Sequence, residues 1–404
     1  MSYLLLAPDV SLRYLERPYL YNRKTDELYE LDEEAWKYLL AVAGPNPPSA
    51  EAGASEFVDF LVAEGLARVV GVSARVVDVP PAPGAVPVGR QSPPSLRYLE
   101  LYLTQRCNLR CAHCFLGDKA GGDNGAALVD LPIDQAEAAL KEFDSLGGLR
   151  LLLTGGEPLL YPGFWEINAL LPRHGFRTVL LTNGTLLASC AAQLNVQEVQ
   201  VSLDGWEEAH DALRGKGSFR KALRGLEAAR EAGLDVSVAT MVTRFNREDF
   251  PRLSALLQDL GVRAWNVDVP TPVGTLLKHK DLLLPPAEAA RYLDWGFGGA
   301  VHESSPGATC GAHLMAIFAD GTAAKCGFYY DSPVGRVEEG LRVLWERVPR
   351  LPMEALACDC PVRDVCRGGC RFRATVVGGT DQPDIVKCYH YGVLPTSTAE
   401  GGER

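Results

Sequence analysis

Between residues 97 and 270 the chain alternates short apolar runs with amphipathic ones. The apolar runs are LRYLELYLT, LRLLLTG, RTVLLTNG, VQEVQVSLDG, LDVSVATMVT and VRAWNVDV, and they read as strands. Patterns such as PIDQAEAALKEFDSLG and FRKALRGLEAARE lie between them and read as helices. Strands separated by helices pair in parallel, because a helical crossover returns the chain to the same end of the sheet. Six such units predict an α/β fold, a partial (β/α)6 barrel of the TIM type. In such barrels chemistry collects at the C-terminal ends of the strands. The cysteine run RCNLRCAHCF follows the first strand there, TGGEP the second, TNG the third and SLDG the fourth.

The flanks differ from this central segment, residues 97–275. Residues 1–70 hold the strand-like stretches YLLLA, RPYLYN and ELYEL around a turn at NRKTD. A helix is expected after Asp32 as N-cap, with Leu31, Trp36, Leu39 and Leu40 at helical spacing. A second is expected in SEFVDFLVAEGL, with Phe57, Phe60, Leu61 and Leu66 on one face and Gly65 as its stop. Small strands followed by small helices predict a winged-helix-like α+β module. Residues 71–96 are rich in proline and read as a stiff linker. Residues 276–391 form a bridging, turn-rich segment that holds the remaining cysteine cluster, and 392–404 read as a flexible tail.

The formal charge of −11 argues against nucleic acid as the main partner, since phosphate binding wants a basic face. The N-terminus has no basic region ahead of a long apolar run, and no stretch has the length of a membrane span. The expected location is the cytoplasm. Thiols stay reduced there, so most of the 11 cysteines are expected to be metal ligands rather than cross-links.

Cys107, Cys111 and Cys114 have the spacing C-x3-C-x2-C. Three thiolates on one loop can hold one metal centre. A [4Fe–4S] cube offers four corners, so three local ligands leave one iron open. A zinc site or buried free thiols are the alternatives, and zinc asks for a fourth ligand that is not local. His113 could supply it in principle, or face solvent or support the ligands. Asn108 and Ala112 permit a compact loop, and Phe115 could cover one side of a cluster.

The run CNLRCAHCF, then TGGEP, LTNG and SLDG at later strand ends, resembles the radical S-adenosylmethionine (SAM) superfamily over residues 97–275. The resemblance implies that Cys107, Cys111 and Cys114 hold a [4Fe–4S] cluster whose open iron binds SAM. It implies reductive cleavage of SAM to a 5′-deoxyadenosyl radical, which takes a hydrogen atom from the substrate. It also implies an external electron donor such as flavodoxin or ferredoxin. Gly155, Gly156, Glu157 and Pro158 are expected to contact the SAM amino group, Glu157 adding a negative charge beside it. Ser202 and Asp204 stand where relatives bind the ribose, the carboxylate or the substrate, although a strand-end turn capped by Asp204 fits equally. Arg214 could pair with the SAM carboxylate or lie on the surface, and Asn183 has the same two readings.

Seven cysteines lie downstream: Cys310, Cys326, Cys358, Cys360, Cys366, Cys370 and Cys388. ADGTAAKC and CPVRDVCRGGC resemble the SPASM extension of some radical SAM enzymes, which implies two auxiliary [4Fe–4S] clusters and three in all. Carried over, Cys310, Cys326 and Cys370 would hold the first, and Cys358, Cys360, Cys366 and Cys388 the second. The pair Cys358-Asp359-Cys360 is one residue shorter than the family's C-x2-C, so Cys358 could change cluster or leave Asp359 as a ligand. The first auxiliary cluster lacks a fourth cysteine and could keep an open iron. Cys190 reads as a buried helix thiol.

The N-terminal module is similar to the peptide-recognition elements of maturases of ribosomally made peptides. This implies that a precursor's leader adds as a strand to an exposed sheet edge, with the linker setting the module's reach. The expected activity is then a radical SAM peptide maturase forming a thioether or carbon–carbon crosslink. Sulfatase maturation or tetrapyrrole modification is the alternative, and deletion of residues 1–95 is expected to separate the two. A non-catalytic iron–sulfur electron carrier is a third reading, against which the GGEP turn speaks. Asp268, Asp320 and Tyr329 are polar candidates near strand ends or cysteines, without assigned roles.

Overall fold

The computed structural model describes residues 2–44, 47–50, 55–71, 94–121, 128–299 and 307–393. The proline-rich stretch at 72–93 and the tail from 394 onward lie outside them.

The N-terminal module runs β1 (Ser2–Leu6), β2 (Val10–Tyr14), β3 (Pro18–Asn22), β4 (Glu27–Glu30), α1 (Glu33–Val42), α2 (Ser55–Ala63) and β5 (Ala67–Gly71). β2, β3 and β4 form an antiparallel meander, while β1 pairs with β5. α1 starts at the expected cap: the Ala35 N–H donates to the Asp32 carboxylate at 2.8 Å. The expected apolar face of α2 needs correction. Val58 and Leu61 are buried with Leu66, whereas Phe60 is 42% exposed and packs edge-on against Tyr29. Adjacent residues point about 100° apart around a helix. Leu61 takes the core, so Phe60 turns out of it.

The six apolar runs become β6 (Tyr98–Tyr102), β7 (Arg150–Thr154), β8 (Arg177–Thr182), β9 (Glu198–Ser202), β10 (Asp235–Met241) and β11 (Ala264–Asp268). Between them lie α3 (Ile133–Ser145), α4 (Phe164–Leu170), α5 (Glu207–Arg214), α6 (Ser218–Glu231) and α7 (Phe250–Asp259). All five pairings from β6 to β11 are parallel. Leu99, Leu101, Leu151, Leu153, Val199 and Val201 are fully buried, and as every second residue they form the face of the sheet packed against the core, while most of their neighbours on the other face are only half-buried.

The sheet does not stop where the central segment was expected to end. β12 (Leu314–Ile317) pairs in parallel with β6, placing Ala316 opposite Glu100. β13 (Thr322–Ala324) and β14 (Gly335–Arg336) extend it antiparallel, so the cysteine-rich segment begins as part of the barrel sheet. The sheet is open, a partial barrel with β11 at one edge and β14 at the other.

The N-terminal module is seated on the base of this barrel, the end opposite TGGEP and SLDG. Arg177, at the first position of β8, donates to the carbonyls of Arg23 and Lys24 at 3.2 and 2.8 Å. The Tyr21 hydroxyl donates to the Leu149 carbonyl at 3.0 Å, and Arg13 pairs with Asp144 at 3.0 Å. Arg97 pairs with Glu16 at 2.6 Å, and Arg263 reaches the Thr25 carbonyl at 2.7 Å. These bonds hold the module against the barrel. Among the described residues no helix is long and apolar enough to cross a membrane.

Candidate active site

A cavity of about 690 Å³ opens at the C-terminal strand ends. Cys107, Cys111 and Cys114 all line it, from the loop that leaves β6. Backbone bonds pin this loop: Ala112 N–H donates to the Leu213 carbonyl, and Thr275 N–H to the Cys114 carbonyl, at 2.8 and 2.9 Å. Asn108 adds a side-chain tie, accepting from Asn183 Nδ2 and donating to Thr185 Oγ1, each at 2.9 Å. Arg106 forks onto Asp130 with bonds of 2.9 to 3.1 Å. Phe115 lines the cavity and packs against Phe328 across 5.2 Å.

Gly155, Gly156, Asn183, Ser202 and Arg214 line the same cavity. Pro158 and Asp204 are not on its wall, and neither is Glu157. Its carboxylate turns inward, accepting from Thr182 Oγ1 at 2.7 Å, Asn183 N at 2.8 Å and Leu159 N at 3.3 Å. It therefore ties the β7 turn to the end of β8. Burial pushes its pKa up to about 7 against the pull of those three donors. Pro158 opens the short 3-10 turn Pro158–Leu160 behind it and is buried.

Gly156 donates to the Thr104 carbonyl at 2.8 Å, and Glu157 N–H to the Arg106 carbonyl at 2.7 Å, so the glycine turn is stitched to the cysteine loop. A methyl at Gly156 would meet the Arg106 carbonyl oxygen at 2.4 Å, with backbone that cannot rotate away. Gly156→Ala is expected to displace the loop and weaken SAM binding about tenfold or more, roughly 1.4 kcal/mol. Calorimetric titration of the cluster-loaded protein measures it.

Asp204 follows β9 and is fully buried. It accepts from Arg214 Nε at 2.5 Å, His113 Nε2 at 3.0 Å and Met241 N–H at 2.8 Å. Burial alone would push its carboxyl up, but the Arg214 guanidinium and His113 hold it well below the usual carboxylate range. Asp204 is thus a support rather than a wall group. It aims Arg214, whose Nη1 stands 3.9 Å from Cys111 Sγ. Residue-by-residue reading of the sequence leaves His113 between several roles. The structure pairs it with Asp204, puts the residue on the cavity wall and leaves its Nδ1 buried without a hydrogen-bond partner among the described residues. Met241, Thr271 and Phe328 also line the cavity. Their strand-end positions could have flagged Met241 and Thr271, but nothing local marks Phe328. Asp268, Asp320 and Tyr329 are not on the wall. Asp268 pairs with Arg373 at 2.8 Å, and Asp320 accepts from Thr322 and Tyr330.

The donor set fits a cluster and SAM. Burial pushes Cys107 up and Cys111 up to about 11, Arg214 acting downward on both, so the thiolates need a cationic centre to persist. Among the described residues no three His, Cys, Asp or Glu side chains converge on a single-ion site. The three thiols instead share one cavity wall, with the orphaned His113 Nδ1 and the Arg214 guanidinium beside them.

All the described cysteines are free thiols. Downstream they fall into two neighbourhoods. Cys326, at the end of the β13 hairpin arm, lies in the field of Cys310 and Cys370. Cys388 lies in that of Cys366, Cys360 and Cys358. Burial raises Cys326, Cys370, Cys358 and Cys366, and pushes Cys388 up to about 11. Asp384 fixes the neighbouring backbone, accepting from Cys370 N–H at 2.9 Å while paired with Arg373 at 2.8 Å.

Residues 101–257 match the radical SAM superfamily. The chain is 31% identical over 333 residues to the AdoMet-dependent heme synthase of Methanosarcina barkeri, 70% of this chain and 93% of that one. It spans 62% of the length of its counterpart from Nitratidesulfovibrio vulgaris, at 30% identity. It is 30% identical over 319 residues to the mycofactocin maturase MftC of Mycolicibacterium smegmatis, 70% of this chain and 80% of that one. Among solved structures, Streptococcus suis SuiB bound to its precursor peptide SuiA superposes with a TM-score of 0.66 at 16% identity, over 94% of this chain and 98% of that one. With the strand-end cysteine loop, the glycine turn stitched to it and these relatives, the chain belongs to the radical SAM superfamily and is an enzyme that uses SAM and a [4Fe–4S] cluster.

Proposed function

We propose that the enzyme is a peptide maturase. The observation that carries this reading is the N-terminal module, a β-meander with β4 at its edge and an exposed aromatic beside it. Among the described residues β4 pairs only with β3. Tyr29 on β4 and the exposed Phe60 stand 6.0 Å apart, next to the open edge. A leader peptide would add there as a strand, its backbone completing the ladder and an apolar side chain covering Phe60. The relatives support the reading: MftC is named as a maturase, and the SuiB structure holds a precursor peptide.

In the cavity, Cys107, Cys111 and Cys114 would hold the cluster, and SAM bound there would supply, on one-electron reduction, the carbon radical that takes hydrogen. The chain's own part is positional. Arg214, aimed by Asp204, would take the carboxylate, the Gly155–Gly156 backbone the amino group, and Ser202 and Asn183 would offer hydroxyl and amide. Apolar Phe115, Met241 and Phe328 exclude water from the reacting carbon. The neighbourhoods of Cys310, Cys326 and Cys370, and of Cys358, Cys360, Cys366 and Cys388, support two auxiliary clusters, and a flavodoxin or ferredoxin would supply the electron for SAM cleavage. The product is a thioether or carbon–carbon crosslink.

Anaerobic incubation of the reconstituted enzyme with SAM, reductant and the short peptide encoded beside its gene is expected to yield a peptide lighter by two hydrogens. Phe60→Asp is expected to abolish that product while SAM cleavage continues. An unmodified peptide with wild-type enzyme overturns the reading. The likeness to the heme synthase of Methanosarcina barkeri supports a second reading, modification of a tetrapyrrole side chain. It predicts turnover of an iron porphyrin that Phe60→Asp leaves intact.

A further inference from the structure

We propose that Glu100 tunes the iron–sulfur centre to which Cys326 belongs, holding its reduction potential low. The inference rests on the reading that Cys310, Cys326 and Cys370 hold an auxiliary cluster.

Glu100 stands in the middle of β6, opposite Ala316 of β12, where the barrel sheet passes into the cysteine-rich segment. Its carboxylate accepts the Gly327 N–H at 2.6 Å and the Tyr102 hydroxyl. Both partners are neutral, so a half-buried carboxylate is held here without a paired cation among the described residues, as Glu157 is beside the SAM cavity. The fit is close: a methyl at Gly327 would lie 1.9 Å from the Tyr102 oxygen and 3.0 Å from Glu100 Oε2. Tyr102 in turn lies in the fields of both Cys326 and Cys114, between the two cysteine neighbourhoods.

Two amides follow Cys326. The Phe328 N–H turns back onto the Cys326 thiol, while the Gly327 N–H is drawn off to Glu100. Hydrogen bonds to sulfur and the local net charge are the protein's main handles on cluster potential. Glu100 acts on both in the same direction. It removes a donor that could otherwise reach the sulfur, and it places negative charge in the field of Cys326. Each effect disfavours adding an electron.

The test is potentiometric titration, followed by electron paramagnetic resonance, of full-length reconstituted protein. All samples carry Cys107, Cys111 and Cys114 as alanines, so that only auxiliary signals remain. All titrations are run at the same alkaline pH. Glu100→Gln keeps an acceptor for Gly327 and removes the charge. It is expected to favour reduction of one auxiliary centre about tenfold, ~59 mV for one electron, and to leave the other in place. Glu100→Leu also frees the amide and is expected to shift the same centre further; if it fails to fold, the glutamine variant alone decides. Unchanged potentials with both centres present overturn the proposal and spare the cluster reading. Protein that carries no auxiliary cluster overturns both.

Discussion

Alanine at Cys107, Cys111 or Cys114 is expected to cut SAM cleavage by ~10³-fold or more, about 4 kcal/mol of transition-state stabilisation, and to remove one cluster's worth of iron. A cube corner without its thiolate has no second thiol on the cavity wall to replace it. His113 is anchored through Nε2 to Asp204 at 3.0 Å, and Cys190 contacts the Leu186 carbonyl at 3.6 Å, away from the cavity wall. Cys190→Ala is expected to change neither quantity. Cys326→Ala separates the two roles: it is expected to lower iron and peptide product but to leave formation of 5′-deoxyadenosine from SAM. Iron and sulfide assays, with chromatography of the nucleoside, read all three cases. If Cys326→Ala stops SAM cleavage as fully as Cys111→Ala, the division into a SAM-binding centre and auxiliary centres is wrong.

The parts of this site that are legible in sequence share one property: each is local. The C-x3-C-x2-C run, TGGEP, TNG and SLDG are short, and each follows a strand whose own apolar residues mark it. The Asp32 cap is local too, a side chain meeting an amide three residues on. What escapes is long-range. Glu157 is next to the glycines that line the cavity, yet its partners Thr182 and Asn183 come from another strand, and they turn it inward. Asp204 and Arg214 are ten positions apart, and only the helix between them brings the guanidinium back over the strand end. LMAI at 314–317 is too short to announce a strand, and it becomes one because β6 offers an open edge. Phe60 reads as core by spacing, and it is out of the core because Val58 and Leu61 fill the available side. The seat of the N-terminal module is the least legible feature of all. It depends on charges at Arg177, Asp144 and Arg97 meeting groups more than a hundred residues away, or, for Arg97, across the proline-rich stretch.

Arg177→Ala is expected to destabilise the enzyme by ~3–5 kcal/mol, the cost of breaking a buried ion pair from one side. Arg177 is fully buried, with Nη2 on Glu198 at 2.9 Å and on Asp235 at 2.5 Å, and Nη1 on two carbonyls of the N-terminal module. Asp235 keeps Arg263 at 2.5 Å and Glu198 keeps the Ser237 hydroxyl at 2.6 Å, so neither carboxylate is wholly abandoned. The carbonyls of Arg23 and Lys24 lose a charged donor, and the base of the barrel opens to water. Arg177→Lys preserves the charge but cannot fork across four acceptors, and about half the loss is expected to remain. This bears on how the substrate class is tested. Deleting residues 1–95 removes two of the four acceptors of Arg177, Arg13 from Asp144 and Glu16 from Arg97 together, so the barrel is expected to weaken whatever its substrate. Loss of peptide modification after that deletion therefore does not separate a leader-binding module from a structural one, whereas Phe60→Asp, on the far side of the module core, does. Denaturation of the cluster-loaded enzyme reads the prediction. A change under ~1 kcal/mol for Arg177→Ala, with a deletion that folds as well as the full chain, would mean that the module only rests on the barrel.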